Sequence, residues 1–454
     1  MPSVVTTAIN RSMITTRLGI GSYATVDSEV MAIKRSSLDE FNPNYTVPVD
    51  SIVEVSILRH LNQSYIQDEL EYNPFPVHYQ STVSTRDVVI WRENATIAST
   101  TTRMSYVGRT IANILEDDGT VVDGILRLEV PNIIRVIERH LDSILECVSI
   151  MHANHVIHND LHVNNLTIDE ENKVHIIDFG MSQLGSMKNR YMGTLVPGGN
   201  SHPSCDLWKL ASSIVAACRG QLIIPDVKWA VEVLSESYSD VDYESVARGD
   251  FDRPFPVPDS IPSPLRERLQ TMLSVNPRDR NYSVSLNTPP IRELWSCTVN
   301  REVQESFENA LDTVLGTLQL CDDVLMEGRI NGVINCYNVT VAVDTLCRWF
   351  CEYRSINDVT PHAKAIFKLS IDYDIEEDEG LQLDLGELGE WFYNLVPYQR
   401  KVLEVIDWEV FTYANTLLIG GDYRRLIRAI RSDEMRYRYF SMSSNELMKH
   451  LQSL

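Results

Sequence analysis

The spacing of apolar residues changes character along the chain. Through the first hundred residues, short runs alternate as half-buried strands do: Val30 to Lys34, then Val88 to Trp91 and Ile97 to Tyr106. Leu18 to Ala24 reads as a glycine-containing turn between two extended pieces. Between these strands, Ile52, Val53, Val55, Ile57, Leu58 and Leu61 predict a helix over 50–61 with one apolar face, capped by Asp50 or Ser51. From Arg127 the period becomes helical, with Ile133, Ile134, Ile137, Leu141, Ile144, Leu145 and Val148 recurring at three and four. A short β-like stretch comes next over 156–178, and helices dominate thereafter. Prolines at 254–264 and 277–290 predict loops that close a first domain. Past Cys297, glycine and proline thin out and amphipathic stripes succeed one another. Val339, Ala342, Val343, Leu346, Trp349, Phe350 and Tyr353 form one stripe. Ala363, Ile366, Phe367 and Ser370 begin a second, and Trp391, Leu395, Val402, Leu403 and Ile406 a third. The pattern predicts an α+β domain, a boundary near 298–303, and an all-α region beyond it.

Composition narrows the classes. A chain of 454 residues accommodates two domains, and 44% hydrophobic with 23% charged residues is ordinary for a soluble globular protein. A net charge of −23 repels polyphosphate backbones, so neither nucleic acid nor an anionic membrane is expected as the main partner. Residues 1–16 lack the pattern of a secretory signal, and no apolar run is long enough to cross a bilayer. The eight cysteines form no C-x-x-C pair, which argues against a zinc cluster, and Cys347 and Cys351 read as small buried apolar residues. These features predict a reducing, intracellular setting, cytoplasmic or nuclear.

The candidate chemistry lies in the first domain. Gly19-Ile20-Gly21-Ser22-Tyr23-Ala24-Thr25-Val26 is a G-x-G-x-x-A-x-V loop, whose small residues let backbone N–H groups close over anionic oxygens. Taken alone it is also what a turn between strands looks like. Lys34 ends the apolar run Met31-Ala32-Ile33, where a cation can meet phosphates, and Glu54 is the carboxylate available to hold it. The segment Val156 to Ile168 carries Asp160 and Asn165, five apart in a loop flanked by apolar residues. A carboxylate there can orient a hydroxyl and accept its proton, and an amide oxygen at that offset can bind Mg²⁺. Thirteen residues on, Val174-His-Ile-Ile-Asp-Phe-Gly180 ends a strand in Asp178, a second oxygen ligand, with Gly180 allowing the turn after it. Each acid alone reads as a solvated loop residue; the five groups together do not.

These motifs resemble the eukaryotic protein kinases over residues 14–297. The resemblance implies a bilobal fold, with a β-rich N-lobe over 14–104, a hinge over 105–107 and a helical C-lobe over 108–297. It implies ATP in the cleft, with Mg²⁺ on Asn165 and Asp178. Val26, Ala32, gatekeeper Met104 and hinge residues Ser105, Tyr106 and Val107 would hold the nucleotide. By the same match Asp206 supports the catalytic loop and Arg280 braces the large lobe. Val47-Pro-Val-Asp-Ser-Ile-Val-Glu54 lies over the V-P-S-T-A-I-R-E helix of cyclin-dependent kinases, and Ser22 and Tyr23 fall at their inhibitory phosphosites. The implied activity is transfer of the ATP γ-phosphoryl group to serine or threonine hydroxyls of proteins.

The chain also departs from the family. Asn159 replaces the arginine of H-R-D, which implies activation without loop phosphorylation. His162 replaces the catalytic-loop lysine, and Thr194-Leu195 matches the loop beside the substrate although A-P-E is missing. Two rival readings arise: a pseudokinase scaffold, which the complete set of five groups opposes, and a kinase for small molecules. Residues 303–454 resemble a cyclin box in Ala342 to Phe350, Ala363 to Glu377 and Lys401 to Trp408. That likeness implies a fused activating domain docked on the 47–61 helix, pushing Glu54 toward Lys34. The lysine and glutamate with which cyclins grip their kinase correspond here to Asp374 and Gln399. Such a fusion suits a large DNA virus acting in a host cell, or a reduced parasite.

Overall fold

The strand-forming runs at the start of the chain assemble into one antiparallel sheet in the order β1-β2-β3-β5-β4. The computed structural model describes residues 16–20, 24–28, 31–37, 47–68, 72–90, 93–117, 119–122, 125–127, 129–185, 195–200, 202–221, 223–280, 309–310, 312–313, 336–352, 359–372, 395–411 and 449. The strands are β1 (Thr16–Ile20), β2 (Ala24–Ser28), β3 (Met31–Ser37), β4 (His78–Ile90) and β5 (Glu93–Ser105). Between β3 and β4 runs α1 (Val49–Asp68).

β4 begins ten residues before the strand expected at Val88. Its early part alternates through Ser81 and Val83, which are buried, and Gln80, Thr82 and Ser84, which are exposed. Hydroxyl side chains carry much of that alternation, so apolar periodicity misses it. The inward hydroxyls satisfy one another: Ser81 Oγ donates to Thr102 Oγ1 (3.0 Å), and Ser51 Oγ of α1 lies 2.6 Å from Thr100 Oγ1.

α1 also differs from expectation. Its sequence predicts one apolar face, yet every residue from 51 to 58 is buried. The helix is covered on both sides, and a helix covered all round is apolar or small all round. One side meets the sheet. The other meets helical segments from the C-terminal part of the chain. Asp50 lies inside the helix and not at its cap.

Beyond β5 come β6 (Arg109–Thr110), α2 (Ile111–Asp117) and a small hairpin of β7 (Thr120–Val122) and β8 (Ile125–Arg127). The predicted long helix is α3 (Val130–Ala153), entered through a proline in its first turn. The β-like stretch resolves into β9 (Val156–Ile157), β10 (Leu166–Ile168), β11 (Val174–Ile176) and β12 (Gln183–Leu184). β10 pairs with β6 and β11, and β9 with β12. The helices α4 (Ser204–Cys218), α5 (Val227–Ser235), α6 (Tyr243–Arg248) and α7 (Ser263–Met272) complete this lobe, with α4 wholly buried at its centre. Buried Arg280 donates to the carbonyls of Ser274 (2.9 Å), Ser204 (3.1 Å) and Pro197 (2.6 Å), tying three segments together.

The predicted C-terminal stripes form α8 (Cys336–Glu352), α9 (Thr360–Asp372) and α10 (Val396–Val405), which pack on one another. Trp349 stacks on His362 (4.8 Å), and Tyr398 meets His362 edge-on (5.0 Å). The expected boundary at 298–303 lies outside the described residues, as do Trp391, Asp374 and the side chains of Cys347 and Cys351.

The C-terminal part of the chain touches α1 directly. Val47 N donates to Gln399 Oε1 (3.3 Å). Ser56 Oγ donates to the Trp408 carbonyl (3.3 Å) and accepts from Phe411 N (3.3 Å). Arg59 pairs with Asp407. Asp407 and Trp408 hold left-handed backbone, φ 54° and 65°, which turns the chain back onto α1. From behind, Arg348 of α8 donates to the Glu409 carbonyl (2.6 Å).

Candidate active site

Strand alternation sends Ala32, Lys34 and Ser36 of β3 inward, and Lys34 meets the one glutamate that α1 turns toward the sheet. Lys34 Nζ lies 3.0 Å from Glu54 Oε2 and 2.7 Å from Asp178 Oδ1. Both Lys34 and Glu54 are buried, while the Asp178 side chain keeps 44% of its surface exposed. Burial would lower the Lys34 pKa, but Asp178, Glu54 and Asp50 more than offset it and hold the ammonium above its ordinary value. Burial pushes the Glu54 carboxyl up to about 7, against the pull of Lys34 and with added repulsion from Asp178. For Asp178, burial is outweighed by Lys34, so its carboxylate stays below the usual range.

Asp178 sits just past the end of β11 in left-handed backbone, φ 64°. Gly180 comes under α1, where an added Cβ would lie 3.1 Å from Asp50 Cβ. The facing loop is held by Asp206 of α4. Its buried carboxylate accepts from His158 N (2.8 Å) and Asn159 N (2.9 Å) and meets His152 Nε2 (2.8 Å). These bonds fix Asn159 at φ 62° and point Asp160 into the cleft. The Asn165 amide donates to the Asp160 carbonyl (2.7 Å), which leaves its Oδ1 as the atom to face a cation. A carboxylate and an amide oxygen form a hard donor set suited to Mg²⁺. His162 is buried, its Nδ1 accepts from Asn164 N (3.2 Å), and its Nε2 lies 3.4 Å from Asp160 Oδ2. It therefore braces the loop as well as facing the cleft.

A cavity of about 460 Å³ joins these groups. Ala32, Lys34, Glu54 and Met104 line it from the sheet side. Ser105, Tyr106 and Val107, the segment expected to be a hinge, form one wall, and Asp160, His162, Asn165 and Asp178 its floor. Eleven predicted residues thus share one cleft. Gly19 and Ile20 lie on β1 and Ala24 and Val26 on β2, with Gly19 paired to Val26. Gly21, Ser22, Tyr23 and Thr194 fall outside the described residues.

Sequence reasoning passes over several contributors. Asp50 carries the signature of a cap, yet its half-buried carboxylate lies beside Ser36 and feels Lys34 directly. Its place four residues before Glu54, on the same helix face, is the available signal. Gly108, φ 94°, passes so close to β10 that a Cβ would lie 2.2 Å from the Ile168 carbonyl oxygen. Thr167 Oγ1 donates to the Val107 carbonyl (2.6 Å) and ties the segment after β5 to β10.

A β-rich lobe over a helical lobe, with a lysine–carboxylate pair facing a loop aspartate and asparagine across a deep cleft, defines a nucleotide-dependent phosphotransferase architecture. Residues 14–288 match the family of the protein kinase domain, and the chain belongs to that family. Three curated relatives illustrate the range. The "Probable serine/threonine-protein kinase KIN1 homolog" of Encephalitozoon cuniculi (strain GB-M1) is 29% identical over 118 residues, covering 24% of this chain and 20% of that protein. Cyclin-dependent kinase C-2 of Arabidopsis thaliana is 23% identical over 229 residues, and cyclin-dependent kinase C-1 of Oryza sativa subsp. japonica 24% over 231. Each of these two alignments covers 46% of this chain and 41% of the relative. The chain therefore spans less than half the length of the relatives it matches. No helix among the described residues is long and apolar enough to cross a membrane.

Proposed function

We propose that this chain is an active, Mg-ATP-dependent protein kinase of cyclin-dependent type, acting on serine or threonine hydroxyls. The observation that carries the reading is Lys34 held between Glu54 and Asp178, across the cleft from Asp160 and Asn165. ATP supplies the phosphoryl group, and Mg²⁺ on Asp178 and Asn165 would neutralise charge on it. The protein's own groups do the rest. Lys34, aligned by Glu54, presents a cation to the phosphates. Asp160 orients the acceptor hydroxyl and takes its proton, and His162 supports the Asp160 carboxylate from 3.4 Å. The test is transfer from radiolabelled ATP to a mixed protein acceptor by the intact chain and by Asp160→Asn. The expected result is label with the former and almost none with the latter; equal label overturns the reading.

The C-terminal helices are read as a fused cyclin-like activator. Support comes from the contacts of Gln399, Asp407, Trp408 and Phe411 with α1 and its entry, the helix that carries Glu54. Gln399 differs from the cyclin glutamate, yet it still accepts a backbone hydrogen bond from the kinase side. Covalent linkage raises effective concentration to about the millimolar range, so modest contacts suffice. A chain truncated at residue 300 is expected to lose most of its activity, and full activity would refute this part.

Activity is read as independent of loop phosphorylation. Asn159 replaces the expected arginine, and it is wholly buried, its carbonyl accepting from Lys209. It offers no cation to a phosphate. Phosphatase treatment is expected to leave activity unchanged.

A further inference from the structure

Lys209 lies within the wholly buried helix α4 with 1% of its surface exposed, deeper than Lys34 in the cleft. An ammonium held away from water is costly unless acceptors meet it. This one donates to the main-chain carbonyl of Asn159, in the loop that carries Asp160. Its neighbours along α4 are apolar or small except Asp206, three residues earlier and on the same face.

The Lys209 bond completes a set. Asp206 accepts from the N–H groups of His158 (2.8 Å) and Asn159 (2.9 Å). The His158 carbonyl accepts from Ser182 Oγ (3.2 Å), and the Asn159 carbonyl from Lys209. All four main-chain polar groups of the two residues before Asp160 are therefore claimed by side chains, three of them from one turn of α4. The peptide that joins Asn159 to Asp160 is planar, so its carbonyl and its N–H move as one body. Lys209 holds the oxygen, and His158 Nδ1 meets the Asp160 N–H (3.3 Å). Turning that plane would swing Asp160 out of the cleft. Asn159 at φ 62° is in a sparsely populated conformation, which persists only where the surroundings enforce it. A charged donor enforces it more firmly than a neutral one.

Asn159 stands where the family resemblance expects arginine. Its own side chain is buried, with Oδ1 accepting from Cys205 Sγ (3.7 Å). The cation missing at 159 thus has a counterpart that reaches the same residue from inside the lobe. We propose that Lys209 is a positioning residue for phosphoryl transfer: gripping the Asn159 carbonyl, it sets the peptide plane that aims Asp160 and so holds the loop without a phosphate. The inference rests on the protein kinase reading and names the group that makes loop phosphorylation dispensable in it.

The test measures transfer from radiolabelled ATP by the full chain, as wild type, Lys209→Met, Lys209→Gln and Ile214→Ala. Methionine keeps the apolar stem and loses the donor. Glutamine keeps a neutral donor on a shorter stem. Ile214→Ala opens a cavity elsewhere in α4 and controls for lost stability, which denaturant unfolding reports for each variant. Lys209→Met is expected to lower kcat by about 100-fold, the cost of a misplaced catalytic group, with KM for ATP within about threefold of wild type. Lys209→Gln should fall between the two, and Ile214→Ala should keep its kcat. Lys209→Met with wild-type kcat, a matching rise in its KM for ATP, or an equal loss of kcat in Ile214→Ala overturns the positioning role and leaves the kinase reading intact. If neither Lys209 variant folds, the lysine is structural and the proposal is likewise overturned. Wild-type transfer no greater than that of Asp160→Asn overturns both.

Discussion

Glu54→Gln isolates the contact on which the proposed activity depends. In the wild type the ammonium of Lys34 lies 3.0 Å from Glu54 and 2.7 Å from Asp178. At an effective dielectric near 20, a unit pair at that first distance is worth about 5.5 kcal/mol. Glutamine forfeits the charge but keeps a dipole. Asp178 remains to receive the ammonium, and the buried carboxylate's desolvation penalty disappears. The net loss is therefore about 2–3 kcal/mol, or roughly 30- to 150-fold in kcat/KM for ATP. The pH dependence should change with it. Burial raises the Glu54 carboxyl to about 7, so it holds a proton below that pH and its charge emerges above it. The ionised form is the one that aligns Lys34, so wild-type kcat/KM should rise as pH increases through about 7 and level off beyond. The unfolded chain releases this proton near 4.5, so the share of stability that Glu54 contributes falls as pH rises from 4.5 toward 7, seen as the difference between wild type and Glu54→Gln. Steady-state kinetics from pH 5.5 to about 8.5 test the kinetic consequence, and unfolding over the same range tests the second. A variant within threefold of wild type at the upper end, or one that keeps the rising limb, would refute the assignment of Glu54 as the lysine's aligning partner.

Ser56→Ala removes the hydroxyl shared by the Trp408 carbonyl, which keeps its bond from Val410 N (3.0 Å), and the Phe411 N–H, a cost of about 1–2 kcal/mol. Faster hydrogen exchange in α1 than in α3, with reduced phosphoryl transfer, is the expected signature; unchanged exchange contradicts it. Asp206→Asn replaces an acceptor of two backbone N–H bonds by a group that cannot serve both, so a stability loss of about 2–4 kcal/mol should appear in denaturant unfolding. His60 is half-buried, with its ring against the Asn154 carbonyl, and the burial lowers its pKa from 6.5 to about 4. The unfolded chain takes up that proton first, so the share of stability that His60 contributes, present above pH 6.5, drains away as pH falls toward 4, by roughly 3 kcal/mol, opposite in sign to the Glu54 contribution. The stability difference between His60→Gln and wild type should therefore change across pH 4–6.5, and a difference that does not vary with pH would assign the effect elsewhere.

The proposed catalytic groups are legible in the sequence because their chemistry is local. Asp160 and Asn165 share one loop, Asp178 and Gly180 one turn, and residue type with spacing is enough to state what each could do. Lys34 and Glu54 can be paired across 20 positions only because strand and helix periods each send one polar group inward. The features that escape a sequence reading depend on neighbours remote along the chain. The inner face of β4 is built from serine and threonine, whose burial depends on hydroxyls on β5 and α1 that no local window contains. Gly108 looks like any loop glycine until β10 is laid against it. Asp50 carries a good capping residue's signature, and its second role comes from Ser36 and Lys34 lying beside it. The expectation of one apolar face on α1 fails for a related reason: its second covering surface is supplied by residues about 350 positions later.

That second surface gives α1 its mechanical interest. Successive residues turn 100° about a helix axis, so Glu54 and Ser56 point to nearly opposite sides. Glu54, with Asp50 one turn earlier, faces Lys34 and the nucleotide cleft. Ser56, with Arg59 one turn later, faces Trp408, Phe411 and Asp407. A helix buried on both sides cannot slide or rotate without breaking contacts on both, because close-packed interfaces exchange between discrete arrangements and do not deform gradually. Any change in the C-terminal contacts must therefore alter the Lys34–Glu54 distance or be resisted by it. Under the proposed reading, this is how a region lacking catalytic groups governs the cleft. It also makes the two single substitutions informative together. Glu54→Gln and Ser56→Ala lie on one rigid element and should be non-additive in transfer rate, whereas Ser56→Ala and Asp206→Asn, on separate elements, should add. Additivity of the first pair would mean that α1 does not couple the two surfaces.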